Sequence, residues 1–163
     1  MHEPATPHIE PIAGERATPR ASCPAAARSA ETMGTVTPRA LLDAPAIRTF
    51  AMPADTNPAG DIFGGWLMSQ MDLAAGSLAA RRSRGRCATV AIDGMVFHEP
   101  VKVGDEVTVH AELLGIGRSS MRFKVSAWRR APDSDEAALV TEAVFTFVAL
   151  GPNGRPRPVP PVP

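Results

Sequence analysis

The 163-residue chain lacks most of what a metal, redox or membrane protein would need. Its two cysteines, Cys23 and Cys87, form no C-x-x-C pair and sit in no His/Cys cluster at metal-ligand spacing, so neither a structural metal nor a disulfide framework is expected. A reducing cytoplasm suits such a chain. No apolar run approaches the roughly 20 residues that span a bilayer, and the N-terminus carries no apolar core of a secretory signal. The chain is therefore read as soluble, not secreted and without a membrane partner. Charge of one sign is also missing in excess: 17 lysines plus arginines face 17 aspartates plus glutamates. That balance gives no global field to attract nucleic acid, and an acidic ligand would need a local patch. Two motifs are absent. Without G-x-S-x-G there is no nucleophile elbow, and without G-x-G-x-x-G after a strand there is no dinucleotide fold. Of the four histidines, His2 and His8 lie in the N-terminal stretch, which leaves His98 and His110.

What is present suffices for one domain with a sizeable core, since 44% of the residues are hydrophobic. Residues 1–45 hold seven of the 17 prolines with many Ala, Thr and Ser, a composition that buries too little to offset its ordering entropy, and they are expected to be a disordered tail. Glu3, Glu10, Glu15 and Glu31 argue against an organelle transit peptide. Residues 46–150 read as the folded domain, and the proline-rich stretch 151–163 reads as a C-terminal tail that cannot continue a sheet.

Within the domain, Ala46 to Met52 reads as a short strand. Residues 87–98 form an almost wholly apolar run rich in β-branched side chains, as in a strand covered on both faces. Gly104-Asp105 marks a turn, after which Val107, Val109, Ala111 and Leu113 alternate with polar residues. Gly115 and Gly117 turn the chain into a second alternating strand over Met121 to Trp128. PDSDE at 132–136 is a loop, and residues 138–150 form the last strand. One long helix with a short strand before it and four antiparallel strands after it is an α+β layout, in which the sheet must wrap the helix to bury its apolar faces.

The helix lies in residues 53–80, PADTNPAGDIFGGWLMSQMDLAAGSLAA, the stretch that carries the chemistry. Pro53, Asn57, Pro58 and Gly60 force a loop. From Ile62, apolar residues recur at Trp66, Leu67, Met71, Ala74, Ala75 and Leu78, the spacing of one buried helical face. Asp61, just ahead, suits an N-cap or first-turn position. Gly64 and Gly65 are unusual there, because each glycine costs about 1 kcal/mol of helix stability relative to alanine. Either a ligand approaches the free N–H groups or the helix packs closely on a sheet. Asp72 lies between Met71 and Leu73, and is either on a solvent stripe or a functional carboxylate. Eight residues of helix separate Gly64 from Asp72 by about 12 Å, so the two cannot act on one small group unless two chains supply the site. The RRSRGR run at 81–86 suits the negative end of a helix, with a phosphate contact as the other reading.

The run MPADTNPAGDIFGGWLMSQMD, followed by TVAIDGMVFHEPVKVGD, GRSSMRFKVSAW and TEAVFTFVAL, resembles the YciA-like acyl-CoA thioesterases of the hotdog superfamily, over residues 47–157. The resemblance implies a hotdog fold, an antiparallel sheet wrapped around one long central helix, and hydrolysis of acyl-CoA to free fatty acid and coenzyme A. It implies Asp72 as base or nucleophile, Gly64 as donor to the thioester oxygen, and Asp61 joining the site from a partner subunit. Asn57, Gly65, Arg118, Ser119 and Ser120 are the candidate substrate or coenzyme A contacts. Family members often carry a lysine where this chain has Glu99. No metal or other cofactor is implied, coenzyme A being part of the substrate, and self-association as dimers, in a trimer of dimers, is. The alternative function is a non-hydrolytic acyl-CoA-binding module, which would not require Asp72. Hydration of an enoyl thioester would call for a histidine where Phe63 stands.

Overall fold

The computed structural model describes residues 44–161. The expected disordered tail, residues 1–45, lies outside them except for its last two positions. The elements follow in the order β1 (Ile47–Phe50), a short 3₁₀ turn (Pro53–Asp55), α1 (Gly64–Ser83), β2 (Cys87–Phe97), β3 (Glu106–Ile116), β4 (Ser120–Arg130) and β5 (Ala137–Ala149). The five strands form one antiparallel sheet in the order β1-β3-β4-β5-β2. This is the α+β hotdog architecture expected from the sequence.

Alternation decides which face of the sheet receives the helix. Val107 and Val109 on β3, Met121, Phe123 and Val125 on β4, and Phe145 and Phe147 on β5 are buried and meet Leu67, Met71, Ala74, Ala75 and Ala79 of α1 in one core. The small side chains on the helix let it approach closely. A Cβ on Gly76 would already stand 3.5 Å from the Phe147 ring, which itself packs edge-on against Phe123 at 5.9 Å.

α1 ends with Arg84 in the left-handed conformation (φ 53°), its N–H bonded to the Ala80 and Arg81 carbonyls. Gly85, expected as the stop, takes part in it, its N–H donating to the Ala80 carbonyl at 3.0 Å. A Cβ there would lie 2.8 Å from the Arg157 guanidinium, so glycine is needed for the close approach of the C-terminal segment.

That segment is the proline-rich stretch read from the sequence as a C-terminal tail unable to continue a sheet. It does not continue the sheet as a strand, yet Leu150 bridges to Pro156, Arg157 N–H donates to Ala149 O, and Val159 N–H donates to Arg118 O. Val159 packs on the core, and Arg157 donates to the Ser83 and Leu150 carbonyls at 2.7 and 3.1 Å. Proline removes ladder donors, but side chains and single N–H groups can still tie the strap down. Truncation after Leu150 is expected to lose about 3 kcal/mol from this valine and these charge-assisted bonds. On a domain of this size that lowers Tm by about 10 °C in thermal denaturation. An unchanged midpoint would show that the strap contributes nothing.

β2 departs from expectation in another way. Its apolar run predicts a strand covered on both faces, but β2 is a sheet edge, and Val90, Val96 and Phe97 remain 58%, 57% and 48% exposed. The physical signal for burial is real. Its own chain does not supply the cover.

Candidate active site

The loop before α1 is built around Asn57. Its side-chain oxygen accepts the N–H groups of Ala59 and Asp61 at 2.9 and 3.1 Å, and its own N–H donates to Asp61 O at 2.7 Å. A bridge between Thr56 and Ile62 closes the loop and delays the helix until Gly64, with Phe63 as N-cap. Asp61 is therefore neither the N-cap nor in the first turn. It is exposed at the loop exit, because the asparagine has already taken over the organising of the loop.

No side chain caps α1. The first bonds back to Phe63 O come from the N–H groups of Trp66 and Leu67, at 2.9 and 3.4 Å, which leaves the Gly64 and Gly65 N–H groups without an acceptor among the described residues. The two glycines have different reasons to be there. A Cβ on Gly65 would collide with the Phe63 ring at 2.4 Å, whereas one on Gly64 would make ordinary contact, 3.4 Å, with the Phe97 ring of β2.

Two turns further on, Asp72 is half-buried and faces β2 rather than open solvent. The Thr89 hydroxyl donates to its Oδ1 at 2.5 Å. Thr89 is a residue that sequence reasoning missed; one threonine in a β-branched run carries no sign that a helix seventeen residues back will present it with a carboxylate. Replacing Thr89 by valine is expected to lower kcat about tenfold, the scale of one hydrogen bond to a charged group, with Thr89→Ser restoring most of it. If valine turns over as fast as threonine, Thr89 does not position Asp72.

Asp72 and Thr89 line a cavity of about 540 Å³ together with Gly76, Cys87 and Phe147. Burial pushes the Cys87 thiol above its ordinary range and the neighbouring Asp72 carboxylate adds to this, with Arg157 pulling the other way. A thiol held protonated is a poor nucleophile.

Gly64 lines a different cavity, about 360 Å³, walled by Phe63, Leu67, Phe97, Val101 and Val140. Asn57 and Gly65 line a third beside Trp66. The candidate residues are thus not brought together within one chain. Arg118 and Ser119 lie in the β3–β4 connection and Ser120 opens β4, and none of the three lines these cavities; their backbone is used, Ser119 O accepting from Ala149 N–H and Ser120 O from Gly117 N–H. Register nonetheless puts that hairpin at the Asp72 end of the sheet, since Ser120 pairs with Val148, Val148 pairs with Ala88, and Ala88 lines the Asp72 cavity. Glu99 pairs with Arg129 at 3.5 Å.

β2 links the Asp72 cavity and the Gly64 cavity. It runs along α1 with Thr89 at Asp72 and Phe97 at Gly64. Chemically, one cavity offers a hydroxyl-supported carboxylate and the other offers unpaired helix N–H donors. Those are the two requirements for hydrolysis at an acyl carbon, a base or nucleophile and a site for the oxyanion.

Comparison with known proteins places the chain among thioesterases. Residues 59–134 match the family model of the thioesterase superfamily. An acyl-CoA thioester hydrolase YciA from Salmonella typhimurium is 46% identical over 117 residues, covering 70% of this chain and 88% of that protein. An uncharacterised acyl-CoA thioester hydrolase of Zymomonas mobilis is 49% identical over 118 residues, covering 72% and 79%. Among solved structures, a hexameric thioesterase from Yersinia pestis is 46% identical with a TM-score of 0.69, covering 73% of this chain and 97% of the other.

Proposed function

This chain belongs to the thioesterase superfamily with the hotdog fold, and we propose that it hydrolyses acyl-CoA to a free fatty acid and coenzyme A at a site shared between two chains. Asp72 of one chain acts as general base or nucleophile, and the Gly64 N–H of the other donates to the thioester oxygen. Asp61 enters from the same side as Gly64, and Asn57 and Gly65 contact the substrate beside it. Arg118, Ser119 and Ser120 of the hairpin meet the coenzyme A portion.

The observation that carries this reading is the open β2 edge. It is eleven residues long, apolar and unpaired, with its Asp72 end and its Gly64 end at opposite extremes. An edge of this kind is a template for another strand, and soluble proteins rarely leave one bare. Antiparallel pairing of β2 with its copy about a two-fold axis sets the Thr89 end of one chain beside the Phe97 end of the other. The Asp72 cavity then adjoins the partner's Gly64 cavity, which resolves the 12 Å separation along the helix and covers Val90 and Val96. Dimers of this kind assemble further as a trimer of dimers, in keeping with the hexameric relative from Yersinia pestis.

Neither role needs a metal. Among the described residues no group of three or more His, Cys, Asp or Glu could hold one, and no helix is long and apolar enough to cross a membrane. The test is a free-thiol release assay across acyl-CoAs of increasing length, in the presence of chelator. Hydrolysis of at least one length class is expected. Binding of acyl-CoA without thiol release would mark the chain as a non-hydrolytic module, and loss of activity in chelator, restored by one metal, would overturn the carboxylate mechanism.

A further inference from the structure

We propose that Glu99 sets the charge preference for the acyl group, turning away acyl chains that end in a carboxylate. The proposal rests on the reading of Gly64 as donor to the thioester oxygen, and adds a specificity-determining residue on the acyl side of it.

Direction is the first observation. The hairpin that meets the coenzyme A portion lies at the Asp72 end of the sheet, so the acyl chain leaves the thioester on the Gly64 side. There it enters the cavity of about 360 Å³ beside Gly64. Leu67, Phe97, Val101 and Val140 give that cavity an apolar wall, which suits a hydrocarbon chain.

Charge is the second. Two side chains with polar ends share this wall, His98 and Glu99, and of the two only the carboxylate can repel an anion. Glu99 is not a loose surface group. Its Oε2 lies 3.5 Å from Arg129, and the same guanidinium lies 3.5 Å from the Oδ2 of Asp105. Asp105 is 2% exposed, and its Oδ2 also accepts the Lys102 N–H at 3.0 Å. Anchoring therefore runs outward from a buried carboxylate, through Arg129, to Glu99. One guanidinium stands between two carboxylates, and among the described residues no second cation pairs with either. The cluster keeps one net negative charge at the cavity wall.

A chain ending in a carboxylate meets two obstacles there that a chain ending in methyl does not. Its charge loses water against the apolar wall, and it is repelled by Glu99. The first belongs to the cavity and persists in any variant at position 99. The second belongs to Glu99 alone. Because the Glu99 side chain is 49% exposed, solvent screens the repulsion, and an effect of about tenfold is expected.

The test takes the ratio of kcat/KM for pentanoyl-CoA to that for glutaryl-CoA, whose acyl chains match in length and differ in ending in methyl or carboxylate. The wild type is expected to favour pentanoyl-CoA. In Glu99→Gln that preference falls about tenfold, and in Glu99→Lys it falls further. The ratio separates charge from damage, since a distorted site slows both substrates together. A preference unchanged in Glu99→Gln overturns the proposal, and so does a wild type that favours glutaryl-CoA. If glutaryl-CoA alone is not measurably hydrolysed by the wild type, hydrolysis of it by Glu99→Lys supports the proposal and its continued absence overturns it. If neither compound is hydrolysed, thiol release from longer chains decides the thioesterase reading separately, and calorimetric titration with the two intact compounds decides the role of Glu99. A binding preference for pentanoyl-CoA that falls about tenfold in Glu99→Gln supports it. An equal preference in the two proteins, or no binding by the wild type, overturns it.

Discussion

Asp72→Asn lowers turnover by about 10²-fold or more while leaving the assembly intact, the scale expected when a general base is removed. Asparagine is the informative replacement because it has nearly the same shape and keeps an oxygen to accept the Thr89 hydroxyl. The cavity beside Gly76 and Phe147 should keep its form. What the change removes is the negative charge and the lone pairs that take a proton from water or attack the acyl carbon. Native mass spectrometry and the thermal midpoint check that the oligomer and the fold persist, and thiol release measures the loss. If the variant keeps near-normal turnover, Asp72 is not the base.

Two inactive variants mixed together regain activity. Asp61→Ala and Asp72→Ala are each expected to be inactive, for opposite reasons. In a two-fold dimer with one of each, one site carries both defects and the other carries neither. Random re-assembly makes half of the dimers mixed, each with one good site of two, so about a quarter of the wild-type sites return. The fold permits a clean experiment. Asp61 is exposed, caps no helix and has no hydrogen bond to its carboxylate among the described residues, so its removal should leave α1 undisturbed. Asp72 lies on a helix face that its own Gly64 cannot reach. Activity that stays at the level of the separate variants, once mass spectrometry has confirmed subunit exchange, would rule out the shared site.

Much of this was legible without coordinates. The three-and-four spacing of Leu67, Met71, Ala74 and Ala75 and the alternation along residues 107–113 and 121–128 depend only on helical and strand periods, which local sterics set. They determine α1, β3 and β4, the α+β class, and the rule that Gly64 and Asp72 cannot serve one small group within one chain. Other features depend on which segments meet in space. The helix starts at Gly64 because Asn57 and the Thr56–Ile62 bridge hold the loop, so Asp61 lost the capping role that its position suggested. The apolar run 87–97 announces burial but not by what, and only the strand order reveals that β2 is an edge. Thr89 meets Asp72, Arg157 reaches back over Gly85, and Arg129 holds Glu99 at the Gly64 cavity through contacts between residues far apart in the chain. Periodicity is local and can be read from neighbours in sequence; a hydrogen bond or a cleft between distant residues exists only once packing has chosen their positions.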